Sequence, residues 1–177
     1  MELAGLPYEV IVSDVDETVT GEPDAQVREL ALRKGLAVRD MILKDDPKRD
    51  SFVIVAADTL VFINGEALGK PKDRDEAFEM LDMLQGRRHV VYTGVAIVQP
   101  DTEYAFVEWA RVFFRPLSHE EINAYIDTGE PFDKAGAYGI QERGAVFLDR
   151  IEGDFYTVVG LPISRVYSEL AKLGYGW

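Results

Sequence analysis

Cysteine is absent from this chain of 177 residues. Disulfides and thiol chemistry are thereby excluded, and a reducing compartment is compatible. Basic residues are scarce: 19 Lys and Arg stand against 32 Asp and Glu, for a net charge of −13. A surface that acidic repels nucleic acid, whose binding depends on neutralising phosphates with Lys and Arg. A small phosphate ligand is still compatible, given a divalent metal and a few local cations to overcome the field. No apolar stretch is long enough to span a bilayer and no signal peptide is recognisable, so the expectation is a cytoplasmic protein with no membrane partner. Repeats and low-complexity tracts are also missing. What remains is a chain that is 47% hydrophobic. That is enough to fold as one domain, or as two lobes around one cleft.

The order of elements reads as α/β. Residues 8–14 (Tyr-Glu-Val-Ile-Val-Ser-Asp) predict a strand, and 24–42 a helix with Val27, Leu30, Ala31, Val38, Met41 and Ile42 on one face. The β-branched run 51–57 predicts a buried strand. Asn64-Gly65, between apolar residues, is the strongest short hairpin signal. Asp73 with Glu76 marks the start of a helix over 73–85, and Ser118 with Glu121 the start of another. Segments 88–99 and 102–115 predict antiparallel strands across Gln99-Pro100-Asp101. Strands are expected at 145–151 and 155–159, and a last helix at 163–173. Hairpins mixed with helical crossovers imply a mixed sheet flanked by helices.

Four places carry candidate chemistry. Asp14, Asp16 and Thr18 alternate at the end of the first predicted strand, with Glu17 on the other side; clustered carboxylates suit Mg²⁺, and an acidic solvated turn is the plainer account. Asp58-Thr59 follows the apolar run, where a half-desolvated acid suits a general base and a structural cap is the alternative. Lys70, between Gly69 and Pro71, is aimed from a short stiff loop and suits a phosphate; a solvated surface lysine serves equally. The run 131–141 (Pro-Phe-Asp-Lys-Ala-Gly-Ala-Tyr-Gly-Ile-Gln) interleaves small residues with charges and ends on an amide. Two glycines would cost a helix about 1 kcal/mol each, so the run marks either a tight packing corner or a close approach to a ligand.

Taken in order, these segments resemble the Maf-type nucleoside triphosphate pyrophosphatases, a family once described as septum-formation inhibitors. Asp16-Glu17, Ala57-Asp58-Thr59, Gly69-Lys70-Pro71, Thr93-Gly94-Val95, Ile122 to Tyr125, the run 131–141 and Gly160-Leu161-Pro162 carry the resemblance from about residue 3 to the C-terminus. It implies an ITPase-like α/β fold with a long mixed sheet, a deep central cleft and frequent dimerisation. It implies hydrolysis of dTTP or UTP, or a modified pyrimidine nucleotide, to the monophosphate and pyrophosphate with Mg²⁺ or Mn²⁺. By the same resemblance Asp58 is the proton acceptor, Lys70 and Glu17 are catalytic, Glu17 and Asp58 are the metal ligands, and Thr59 and Gln141 set the substrate. Gln141 offers a donor and an acceptor on one amide, matching the adjacent N–H and C=O on uracil or thymine.

The resemblance departs at the start. The family's first strand and its Ser-x-Ser-Pro-Arg-Arg loop have no counterpart, and Met1 to Pro7 resembles the end of the helix that follows them. On this reading the chain is truncated relative to the family, and a longer form is expected to turn over dTTP faster and melt higher. Two other readings compete. Asp14-Val15-Asp16-Glu17-Thr18 also resembles the first motif of haloacid-dehalogenase-type phosphatases, with Val91 to Gly94 as a second; the late acidic pair that chemistry needs is incomplete at Gly153-Asp154. A nucleotide-binding regulator of division without turnover is the third. The readings separate by mutation: Asp58→Asn is expected to abolish pyrophosphate release while Asp14→Asn leaves it nearly intact, and the phosphatase reading reverses that order with inorganic phosphate as product.

Overall fold

The computed structural model describes residues 1–176. Helices α1 (Pro23–Asp45), α2 (Arg74–Leu84), α3 (His119–Ile126), α4 (Phe155–Val159) and α5 (Ile163–Lys172) and strands β1 (Ile54–Ile63), β2 (Glu66–Leu68), β3 (Arg88–Val98), β4 (Glu103–Phe114) and β5 (Leu148–Glu152) follow one another as α1-β1-β2-α2-β3-β4-α3-β5-α4-α5. The strands form one five-stranded sheet in the order β2-β1-β3-β4-β5. Both outer pairings, β1 with β2 and β4 with β5, are antiparallel. The α/β class is as expected, and no helix among the described residues is long and apolar enough to cross a membrane.

Local chemistry explains most boundaries. Asn64 and Gly65 both take positive φ (54° and 88°), which a tight hairpin whose twist matches its strands requires, and Ile63 pairs with Glu66 across it. Pro23 sits in the first turn of α1, where its missing N–H costs nothing. The Asp73 carboxylate accepts from the Glu76 amide at 2.9 Å and starts α2. Ser118 and Glu121 form a reciprocal capping box on α3.

Four expectations need correction. Residues 8–14 form no strand: the sheet runs from β2 to β5 without them, and Val10 and Val12 are 76% and 81% exposed. β-propensity describes fit to a half-buried sheet surface, and without that surface it has nothing to act on. Residues 155–159 are helix α4, because the Asp154 carboxylate accepts from Thr157 N (2.7 Å) and Thr157 Oγ1 (3.0 Å) and caps the turn. Met41 is exposed, so the buried face of α1 ends near Val38. β1 runs on to Ile63, which puts Asp58 and Thr59 within the strand rather than at its end.

The chain gathers into two compact units. One comprises residues 1–58, 93–108 and the segment from Gly160; the other comprises 59–92 and 109–159. In the first, Val95, Ile97, Phe106, Val166 and Leu170 form the core under α5. A second cluster of Ala31, Ala96 and Val98 seats α1 on the sheet. The approach is close enough that a Cβ on Gly94 would lie 2.2 Å from the Val27 carbonyl oxygen. In the second unit α2 and α3 pack over β1, β3 and β4 through Leu81, Leu84, Val91, Val112, Ile122 and Ile126. Fully burying one such side chain contributes about 1.5–3 kcal/mol.

One polar residue sits inside that second core. His89 is buried, its ring edge-on to Phe114 and Tyr138, with Nε2 2.6 Å from the Tyr138 hydroxyl. Its Nδ1 has no hydrogen-bond partner among the described residues. Burial lowers the imidazole from its ordinary 6.5 to about 4. The sign follows from linkage: above 6.5 the ring is neutral folded or unfolded, whereas between 6.5 and 4 only the unfolded chain takes the proton. Stability is therefore lost as pH falls through this window, by about 3 kcal/mol in all and about 2 kcal/mol by pH 5. Urea unfolding at pH 7 and pH 5 should show this drop in the wild type and a much smaller one in His89→Phe.

Candidate active site

The segment from Gly5 to Glu22 has no regular secondary structure, so side chains of α1 must position it. Gln26 donates from Nε2 to the Gly21 carbonyl oxygen at 2.7 Å, and two consecutive residues hold the part around Glu17. Arg33 donates from Nη1 to the carbonyl oxygens of Asp16 and Thr18, both at 3.0 Å. Lys34 reaches the Glu17 carboxylate at 2.8 Å with the same ammonium that meets Asp58 at 2.6 Å. The structure thus brings two of the predicted site residues, Glu17 and Asp58, onto one cation. The Asp58 side chain is 13% exposed and that of Lys34 22%, whereas Glu17 faces solvent. Burial alone would lower the lysine pKa; Asp58 and Glu17 outweigh it and hold it above the ordinary 10.5. Sequence reasoning misses Lys34. One signal was available: an i, i+1 Arg-Lys pair on the polar side of a helix whose next residue, Gly35, packs tightly on the sheet.

Asp14 and Asp16 do not join this group. Both lie on the irregular segment, away from any strand. Asp16 accepts from the Thr18 amide at 2.8 Å, and Thr18, with a smaller contribution from Arg33, holds its carboxyl below the usual range. The phosphatase motif needs this acid at a strand end, and no strand is there. Asp154 serves as a helix cap, and Thr93 is buried on β3. That alternative is overturned on geometry.

Thr59 follows Asp58 on β1 and is half-buried. Lys70 lies in the second unit, exposed, just past β2. It shares its surroundings with the run 131–141. The Gly136 amide donates to the Gly69 carbonyl at 2.9 Å. Lys134, and more weakly Lys70, holds the Asp133 carboxyl below its ordinary value. Gly136 has φ +69°, and a Cβ there would lie 2.8 Å from Val61 Cγ2. Its small size admits Val61, so at this residue the run is a packing corner. Ala137 also adopts positive φ, 61°, an uncommon conformation for a residue with a Cβ. Tyr138 is buried against His89 and Phe114, and only at Gln141 does the run return to solvent.

The chemistry of the donors can be stated directly. Two carboxylates meeting on one ammonium form a place where a cation is at home. Carboxylate oxygens are the hard donors that Mg²⁺ and Mn²⁺ prefer, and Mg²⁺ commonly takes only one or two from the protein, the rest coming from phosphate and water. Among the described residues no cluster of three or more His, Asp or Glu could hold a metal by itself. The residues present therefore fit a metal that arrives with a polyphosphate rather than one caged by protein.

Known proteins match this chain along nearly its whole length. A family model described as Maf-like protein matches residues 1–173. A dTTP/UTP pyrophosphatase of Geobacillus sp. (strain WCH70) is 49% identical over 177 residues, covering 99% of this chain and 91% of the relative. Proteins of the same description from Bacillus anthracis and Bacillus thuringiensis subsp. konkukian (strain 97-27) are each 46% identical over 174 residues, covering 97% of this chain and 87% of the relative.

The shared ammonium has a measurable consequence. In a double-mutant cycle of Lys34→Met and Asp58→Asn by urea unfolding at pH 8, a coupling of about 1–2 kcal/mol is expected for a pair this shielded. Its pH dependence runs opposite to that of His89, because the lysine is raised: the contribution is complete below pH 10.5 and drains away as pH rises beyond it. Zero coupling would mean that water already screens the pair.

Proposed function

This chain belongs to the Maf-like protein family, and on that footing we propose that it is a nucleoside triphosphate pyrophosphatase acting on dTTP and UTP. The observation that supports it most is the meeting of Glu17 and Asp58 on Lys34, next to Thr59. The relatives that match along nearly the whole chain are named for that activity.

In the reaction, a water oxygen bonds to the α-phosphorus while the bond from that phosphorus to the α–β bridging oxygen breaks. The monophosphate and pyrophosphate leave. Asp58 accepts the proton of the attacking water. A neighbouring ammonium favours the ionised carboxylate, the form that accepts a proton, and fixes its orientation; Lys34 supplies both effects. Lys70 pairs with phosphate oxygens as a compact charge on a flexible stem. Glu17 and Asp58 would hold Mg²⁺ or Mn²⁺, which when bound supplies neutralisation of charge spreading over the phosphates. Without cations at these positions a net charge of −13 would repel a triphosphate.

The base is read by Gln141, whose exposed amide offers one acceptor and one donor to the N–H and C=O of uracil or thymine. Thr59 contributes to the same discrimination from β1. Guanine carries the same N–H and C=O pair and adenine a complementary one, but on a ring set farther from the sugar, so an amide placed for a pyrimidine edge selects by position. Misplacing that pair costs about 1–3 kcal/mol, or about ten- to a hundredfold.

Pyrophosphate release measured across dTTP, UTP, dATP and dGTP with Mg²⁺ or Mn²⁺ tests the reading. Preference for the pyrimidine nucleotides is expected, with Gln141→Leu reducing that preference more than it reduces kcat. Inorganic phosphate as the product would sink the proposal. Tight binding of dTTP without any pyrophosphate would instead identify a nucleotide-binding regulator.

A further inference from the structure

The loop carrying Gln141 is closed at its base and fastened at both ends. At one end, the Gly139 amide donates to the hydroxyl of Tyr125, a buried residue of α3, at 3.1 Å. At the other, the Arg143 amide donates to the Glu130 carboxylate at 3.2 Å, and the Arg143 guanidinium lies 3.8 Å from the same group. The Glu130 side chain is 14% exposed, so it is held by the fold and not by solvent. Between the two ends the chain pinches: a Cβ on Gly144 would lie 2.4 Å from the Gly139 carbonyl oxygen and 2.9 Å from Tyr125 Oη. Gln141 is exposed midway round the loop.

We infer that Tyr125 and Glu130 are positioning residues for base selection, holding the 139–144 loop so that the Gln141 amide is already aimed before nucleotide arrives. The inference rests on the proposed role of Gln141 and extends it to two residues that do not touch substrate. Burial pushes the Tyr125 hydroxyl up to about 12, so it stays protonated across the working range. The Glu130 carboxylate faces it and bonds the other end of the loop, which makes the two fastenings one connected network. The physical effect is preorganisation. A loop ordered in advance spares the ligand the entropy of ordering it, and a loosened loop binds more weakly without altering the chemical step.

The test separates positioning from packing and from the functional reading itself. Tyr125→Phe removes one oxygen and keeps the ring. Glu130→Ala removes the acceptor, whereas Glu130→Gln keeps an oxygen that can accept from the Arg143 amide. Steady-state pyrophosphate release with UTP and dGTP, together with a melting temperature, is measured for each. The expected result is a three- to tenfold rise in KM for UTP in Tyr125→Phe and Glu130→Ala, kcat within about twofold of wild type, and a smaller ratio of UTP to dGTP specificity. Glu130→Gln should recover most of the KM. The inference is overturned by unchanged KM and specificity in both disruptive variants, by a fall in kcat that matches the rise in KM, by no recovery in Glu130→Gln, or by loss of folding without change in nucleotide preference in whichever variant still folds. Absence of pyrophosphate release by the wild type with any nucleotide would instead remove the reading on which the inference stands.

Discussion

One ammonium, that of Lys34, carries the electrostatic problem of this protein. The chain has far more acids than bases, and its proposed chemistry calls for two of those acids near a polyanion. Two carboxylates brought together repel each other unless a cation stands between them. Lys34 is that cation, 2.8 Å from one and 2.6 Å from the other. Its position depends in turn on α1 lying flush against the sheet. Gly35 permits that contact, since a Cβ there would lie 2.9 Å from Val98 Cγ2, and Gly94 permits it again where the Val27 backbone meets β3. A backbone approach made by glycines thus ends in the placement of a charge. Arg33, the preceding residue, holds backbone while Lys34 holds side chain, so one turn of helix both shapes an irregular segment and neutralises its acid.

The second unit solves a different problem, that of fixing a loop. The run 131–141 combines both accounts that its composition left open. Gly136 is small so that Val61 can pack, and Tyr138 is buried in an aromatic box. Three residues further on the chain is exposed at Gln141. Packing in the first part is what gives the second part a fixed direction. The positive φ of Ala137 belongs to the same logic, since a strained backbone persists only where its surroundings over-determine it. Gly69 joins Lys70 to this frame through a backbone hydrogen bond, so a charge and an amide are hung from one rigid corner.

Much of this was legible in the sequence wherever the signal was local. Asn64-Gly65, the Asp73 cap and the Ser118–Glu121 box act within a few residues, and each forms as its chemistry dictates. The amphipathic helices followed for the same reason. The failures share a cause as well. Residues 8–14 have strand composition but lie exposed with no surface to bury it, and 155–159 have strand composition overruled by one aspartate cap. Asp58 and Glu17 were legible as acids of consequence. Their common partner was not, because Lys34 is 24 residues from Asp58 in sequence and is recognisable only once α1 lies on the sheet. Glu130 and Tyr125 were hidden similarly. A loop pinched at Gly139 and Gly144 has no periodicity to announce it, and its fastenings come from elements read for their own packing.

Around Glu17 the irregular segment is fastened to the molecule by side chains of α1 instead of by a backbone ladder. Ladders open cooperatively and at high cost, whereas side-chain attachments can release while the cores under α1 and α5 stay intact. The Glu17 carboxylate is therefore governed by a local opening equilibrium as well as by global stability. Amide exchange around Glu17 would run ahead of exchange in β3, and agents that compete for Lys34, such as salt or a polyanion, would quicken it further. A protein built this way can adjust the placement of the Glu17 carboxylate through ionic conditions.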